Sequence, residues 1–311
     1  MGDGEEKLNV SMFEAFGRKA AEAGDSTKRR YNFTPRPTDI LVVGAPKTGT
    51  TWLQQILHQI RTKGRHIDFN DIYEVSWWLP YYFMPLDSDE LNQDQMAHPR
   101  ILKSHELYDT IPKTPGVRYI YIMRDPEDTF YSYAKFIAGF LGCDLAQVGD
   151  AWLAEHLDSP IVRHAKGTTE MTLNWWPHRN DDDVLFVAYE DLQEDLELCV
   201  RQICDFVRLQ LTEAELRQVL EHSSFEFMSR HKDKFKGDTE LMRKCLGLDT
   251  FSPKVGMVRE DGGKVGQGRQ NLGPLCKQLV ARHFRECFTE TMGIKNYQQL
   301  REKVSLLKQN H

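Results

Sequence analysis

The stretch from Asp39 to Ile60 constrains the fold more than any other part of the chain. Asp39-Ile40-Leu41-Val42-Val43-Gly44 is a short apolar run, rich in β-branched residues and stopped by a glycine, which reads as a buried strand. Directly beyond it, Leu53, Ile56, Leu57 and Ile60 recur at helical spacing and give one apolar face. Between the two lies Gly44-Ala45-Pro46-Lys47-Thr48-Gly49-Thr50-Thr51-Trp52. A turn of this kind can wrap an anion with successive N–H groups, and the helix that follows adds partial positive charge. An ordinary βα turn would need neither the lysine nor the paired threonines, so the phosphate cradle is the better reading. A loop built for nucleoside triphosphates carries its lysine just after the second glycine, where it reaches the terminal phosphates. Here Thr50 holds that place and the lysine comes earlier, at Lys47.

Other apolar runs fit the same plan. Arg100–Lys103, Val117–Ile122 and Val184–Tyr189 read as strands. The last precedes an amphipathic helix carrying Leu196, Cys199, Val200, Ile203, Phe206 and Val207. Thr212-Glu213-Ala214-Glu215 has the capping-box pattern of a further helix start, and a final helix is expected from about Leu275 to Thr291. Strands alternating with helices predict an α/β fold, a single domain with a central parallel sheet flanked by helices. Its expected limits are residues 39–295, after an arm at 1–38 and before a tail at 296–311. From Phe235 to Pro274 the chain turns Gly- and Lys-rich and loses its periodicity, as a functional loop would.

Composition narrows the function. With a net charge of −6 over 311 residues, no general basic excess advertises nucleic acid, so any anion site must be local. No apolar run is long enough for a membrane span, and the start lacks a signal-like stretch. The six cysteines include no C-x-x-C pair, which speaks against a zinc site and for a reducing, cytoplasmic setting.

Two more groups of residues sit at expected strand ends. Arg124-Asp125-Pro126 closes one strand, and Pro126 suits the first turn of a helix that would carry Ser132 about two turns on. Ligands of open α/β sheets gather at that edge. Lys103-Ser104-His105 closes another strand, and a histidine there is a candidate base.

Taken together, Pro46-Lys47-Thr48-Gly49-Thr50-Thr51-Trp52, the series Arg124, Pro126, Asp128, Ser132, and Lys103-Ser104-His105 resemble the cytosolic sulfotransferase family. The resemblance extends to Tyr189-Glu190-Asp191-Leu192 and His222-Ser223-Ser224-Phe225, and spans about residues 39–295. It implies a donor, 3′-phosphoadenosine 5′-phosphosulfate (PAPS), and no metal. The amides of Lys47, Thr48 and Gly49, with Thr50 and Thr51, would bind the 5′-phosphate. Trp52, Tyr189, Ser223 and Phe225 would hold the adenine, and Arg124, Ser132 and Arg259 the 3′-phosphate. His105 would be the base, with Lys47 on the leaving group and Lys103 on equatorial charge. Ser132 would also restrain Lys47 until both substrates are in place.

The chain departs from the family at Val258-Arg259-Glu260-Asp261-Gly262-Gly263-Lys264, where acidic residues replace a lysine and a glycine. A homodimer is an open expectation, because the usual dimer motif is not recognisable. The aromatic segment Asp71–Met84, with Phe136, Phe140 and Trp152, suits either the wall of a small-molecule acceptor pocket or a core cap. A P-loop kinase-like phosphoryl transferase and a non-catalytic nucleotide binder are the alternatives.

Overall fold

The structure, a computed structural model, describes residues 33–79, 91–140, 145–157, 163–236, 258 and 263–305. Its strands are β1 (Ile40–Val43), β2 (Trp77–Trp78), β3 (Ile101–Ser104), β4 (Arg118–Met123) and β5 (Val184–Ala188). Every pairing is parallel, in the order β2-β3-β1-β4-β5. After β1 the chain builds one side of the sheet, then crosses to build the other. Beside β1 there is therefore a topological switch point, where loops at the strand C-termini part and leave a crevice.

The helices are α1 (Thr50–Thr62), α2 (Ile72–Val75), α3 (Pro126–Phe140), α4 (Asp150–Leu157), α5 (Arg163–Trp175), α6 (Tyr189–Glu194), α7 (Leu196–Val207), α8 (Glu213–Ser223), α9 (Phe225–Arg230), α10 (Gln267–Asn271), α11 (Pro274–Phe284) and α12 (Tyr297–Glu302). Alternation along the strands sorts their side chains onto two faces. Ile40, Val42, Ile101, Ile120, Ile122 and Val187 pack with the apolar stripes of α1 and α7. Leu41, Val43, Leu102, Tyr119, Tyr121 and Phe186 face a second core around Trp175, Trp176, Phe288 and Leu300. Both faces of the sheet are covered, as its continuous apolar runs require. Among the described residues no helix is long and apolar enough to cross a membrane.

Several expectations need correction. Helix α1 does not bury one apolar face only, because Gln54, Gln55, His58, Gln59 and Arg61 are also buried. Their hydrogen bonds explain the tolerance: Gln54 donates to the Ser76 carbonyl, Gln55 to that of His222 and Gln59 to that of His66. Burial beside the Arg61 guanidinium pushes His58 down to about 2, so this histidine is a neutral structural group. The aromatic segment contains strand β2, whose two residues are too few to show a period. The Gly-rich stretch before Pro274 contains α10. The expected last helix runs as α11, a π turn at Arg285–Thr289 and the short Glu290–Met292. Beyond it, α12 starts within the stretch expected as a tail, with Asn296 as N-cap and Leu300 in the core. The Thr212 capping box is present as read.

Asp39, just before β1, and Arg100, just before β3, form a buried ion pair at 0% and 1% exposure. Arg100 Nε donates to Asp39 Oδ1 at 2.9 Å and Nη2 to Asp39 Oδ2, while Nη1 reaches the carbonyls of both Leu91 and Gln93. Removing one partner would strand a charge in the interior. Asp39→Ala is therefore expected to lower stability by about 3–5 kcal/mol. Urea denaturation with an unchanged slope would read this directly, and a loss below about 1 kcal/mol would show the pair to be no more than a surface-grade contact.

Candidate active site

Strand register decides which residues meet at the sheet's C-terminal edge. Val43 of β1 pairs with Ser104 of β3, so Gly44 and His105 leave their strands side by side. His105 Nδ1 donates to the Gly44 carbonyl, and the imidazole is only 9% exposed. A carbonyl can only accept, so that bond puts a proton on Nδ1. On the far side, Met123 of β4 pairs with Ala188 of β5, which sets Arg124 beside Tyr189. The Arg124 guanidinium lies 4.0 Å from the centre of the Tyr189 ring.

The turn between β1 and α1 has the geometry of an anion cradle. Lys47 (φ 70°) and Gly49 (φ 109°) are both left-handed, and Gly49 is the helix N-cap with no side-chain cap. No acidic residue lies in the first turn of α1, which leaves its end positive. Glycine is required at both ends of the turn. A Cβ on Gly44 would sit 2.6 Å from the Ile122 carbonyl, and one on Gly49 would sit 2.7 Å from the Tyr189 ring. Thr50 is buried and Thr51 half-buried at the helix start. The Thr48 hydroxyl instead donates to the Ala45 carbonyl at 2.7 Å, within the turn itself. Lys47 Nζ lies 4.5 Å from the centre of the Phe136 ring on α3. Ser132, buried, is one turn earlier on the same face of that helix.

Arg124 is buried, yet its positive charge is weakly matched. Its NH groups meet the carbonyls of Lys47 and Gly263 at 3.4 and 3.3 Å, and Nε has no hydrogen-bond partner among the described residues. The nearest carboxylate among the described residues, Asp128, stands 3.9 Å away. Its two oxygens are engaged by the Gly266 and Gly268 N–H groups, at 2.7 and 2.6 Å. Gly268 allows this approach, because a Cβ there would lie 2.2 Å from the Glu127 carbonyl. A buried guanidinium with open donor capacity fits a phosphate.

The remaining candidates also converge. Trp52 Nε1 donates to the Ser223 carbonyl at 2.7 Å, and the Trp52 and Tyr189 rings meet edge-on at 5.4 Å. Tyr189 Oη donates to the Gly263 carbonyl at 2.9 Å. The space beside Gly263 is bounded by Tyr189 and Phe225. Ser223 Oγ is fully buried without a partner among the described residues. Arg259 and the neighbouring Glu260, Asp261 and Gly262 lie outside the described residues, as do Pro80–Met84 of the aromatic segment and the side chain of Phe140. Trp152 lies half-buried on α4, which packs against α11.

Lys103 is almost wholly buried, and its Nζ donates to the Tyr73 hydroxyl at 2.7 Å. The ammonium also lies 4.3 Å from the centre of the Trp78 ring, which meets the His105 ring edge-on at 5.6 Å. Sequence alone assigns no contact to Tyr73 or Asp128. Asp128 stood in the Arg124 motif, whereas nothing in the spacing of Tyr73 marks it. Among the described residues no cluster of histidine, cysteine and carboxylate side chains could hold a metal ion.

Comparison with known proteins agrees with this geometry. The pattern of the sulfotransferase domain matches residues 37–260. The amine sulfotransferase of Oryctolagus cuniculus is 27% identical over 205 residues, which cover 63% of this chain and 65% of that protein. Sulfotransferase 4A1 of Homo sapiens is 27% identical over 194 residues, 61% of this chain and 67% of the relative. The matches thus span about two thirds of these relatives' lengths. Among solved structures, a retinol dehydratase in complex with androsterone and the inactive cofactor PAP superposes with a TM-score of 0.67 at 20% identity, covering 94% of this chain and 96% of the other. A mouse sulfotransferase, SULT7A1, complexed with PAP, gives 0.60 at 21% identity and covers 93% of both. A parallel sheet with an amide-lined first turn, and a domain match across most of the chain, place this protein in the sulfotransferase family.

Proposed function

We propose that the protein transfers a sulfuryl group from PAPS to a hydroxyl or amine of a small apolar or aromatic acceptor, with His105 as the base. The observation that carries this reading is the state of Arg124: buried, with Nε unmatched and its nearest carboxylate committed to two loop amides. Such a group calls for a second anion beside the one the β1–α1 turn would hold, and a 3′-phosphate supplies it. Trp52, Tyr189, Phe225 and Ser223 would enclose the adenine between the two. PAPS contributes the activated sulfuryl group, joined to its 5′-phosphate through a bridging oxygen.

The chain's own residues account for the rest. His105 Nε2 takes the proton as the acceptor's oxygen or nitrogen bonds to sulfur. The bond from sulfur to the bridging oxygen breaks, and its electron pair stays with the 5′-phosphate of the departing 3′,5′-diphosphoadenosine. Lys47 and the amides of the turn stabilise that growing charge more than they stabilise the starting state, which is what acceleration requires. Lys103 offsets charge on the transferring oxygens, with the Tyr73 hydroxyl fixing its position. Ser132, on the face of α3 next to Lys47, restrains it between turnovers and contributes with Arg124 to the 3′-phosphate site; Arg259 would join them. Trp78, Tyr73 and Phe136 border the acceptor, and the arrangement calls for no metal. The cytoplasm is the proposed setting, in keeping with six cysteines that include no C-x-x-C pair.

Incubation with radiolabelled PAPS and a panel of phenols, alcohols and amines tests the proposal. Label should pass to at least one acceptor, and label that stays in PAPS despite tight binding of the diphosphate product would overturn it. His105→Ala should lower turnover by about 10²–10⁴-fold. Its affinity for 3′,5′-diphosphoadenosine, read by calorimetry, should stay within about twofold. Arg124→Ala should weaken that ligand by about 30-fold or more, with adenosine 5′-phosphate nearly unaffected. Equal losses for both nucleotides would remove Arg124 from the 3′-phosphate.

A further inference from the structure

We infer that Tyr297 and Glu190 are positioning residues for Arg124, and that through them helix α12 sets the protein's selectivity for a 3′-phosphorylated nucleotide. The inference rests on the reading of Arg124 given above. The contact starts at the peptide leaving Arg124. The N–H of Asp125 donates to Glu190 Oε1 at 3.1 Å, while Glu190 Oε2 accepts from the Tyr297 hydroxyl at 2.6 Å. Asp125 meanwhile turns its own carboxylate onto the N–H groups of Glu127 and Asp128, at 2.8 and 3.3 Å, and so starts α3. The junction between β4 and α3 is therefore gripped from both sides just where the arginine leaves the backbone.

Three neighbouring residues of α6 act on this junction together. Tyr189 lies under the guanidinium, Glu190 holds the peptide, and Asp191 accepts from Arg301 Nε at 2.8 Å. Both Tyr297 and Arg301 come from α12, which also pairs Arg301 with Glu194. Leu300 and Val304 anchor that helix segment in the core beneath the sheet. Glu190 is only 3% exposed, so its carboxylate needs both hydrogen bonds to be tolerated. Burial and the adjacent Glu190 charge raise the Tyr297 hydroxyl well above its ordinary range, which keeps it a donor. The 5′-phosphate turn has bonds of its own, from Thr48 to Ala45 and from Trp52 to Ser223, and Arg124 touches it through one long bond to the Lys47 carbonyl at 3.4 Å. Disturbing Tyr297 should therefore reach one phosphate site and spare the other.

Calorimetry on the full chain, with 3′,5′-diphosphoadenosine and adenosine 5′-phosphate as probes, separates this role from a general brace. Tyr297→Phe keeps the ring and deletes the donor. It should weaken the diphosphate about five- to tenfold while leaving the monophosphate within about twofold. In an Arg124→Ala background the same change should have no further effect on the diphosphate, because its route through the arginine is gone. Glu190→Gln serves as a second probe of the same contact and should lower the preference in the same direction. An unchanged ratio of the two affinities in Tyr297→Phe, or equal losses for both nucleotides, would overturn the inference. So would full additivity with Arg124→Ala. A wild-type protein with no preference for the diphosphate would instead refute the underlying reading of Arg124.

Discussion

Parallel hydrogen bonding of β1 to β3 on one side and to β4 on the other determines, through register, which residues emerge together at the sheet's edge. Because Val43 is level with Ser104 and Tyr121, the residues leaving β1, β3 and β4 share a single rim. The rim receives an amide-lined turn from β1, an imidazole from β3 and a guanidinium from β4. A slip of one residue in any pairing would turn that strand's side chains to the opposite face and bury the wrong groups. The largely apolar strands, covered on both faces, make such a slip costly. The buried Asp39–Arg100 pair pins the other end of the β1–β3 pairing. Catalytic geometry in this fold is thus a consequence of strand register more than of loop shape.

What could be read in the sequence follows from this. The first turn, Arg124, Lys103 and His105 all sit at or near strand ends, where short-range pattern carries the signal, and Ser132 follows on the helix that Arg124 precedes. Gly44 and Gly49 are legible because the backbone needs them whatever the rest of the chain does. The contacts that complete the site are different in kind. Asp128 with Gly266 and Gly268, Lys103 with Tyr73, and Glu190 with Tyr297 join residues far apart in sequence. No local period encodes a pairing across 107 or 138 residues. Strand β2 is illegible for a simpler reason, since two residues on a sheet edge have too little length to alternate. Helix α12 did carry a signal in Asn296 as cap with Leu300 and Val304 on one stripe, although the stretch read as a tail.

The electrostatics around Arg124 pose a problem that the fold resolves by hydrogen bonding. Four carboxylates, Asp125, Asp128, Glu190 and Asp191, cluster around a site proposed to receive an anion. Left exposed to it, they would repel the ligand, and in a partly buried setting that repulsion would be screened little. Each is directed elsewhere. Asp125 caps α3, Asp128 holds the α10 turn, Glu190 takes an amide and a phenol, and Asp191 pairs with Arg301. Burial raises the Asp125 and Glu190 carboxyls above their usual range, and the hydrogen bonds each accepts hold that rise back. Of these groups, the guanidinium keeps unmatched donor capacity, at Nε. The same carboxylates that would spoil an anion site are what hold its backbone in place, so the local density of acid is the means by which one arginine is aimed.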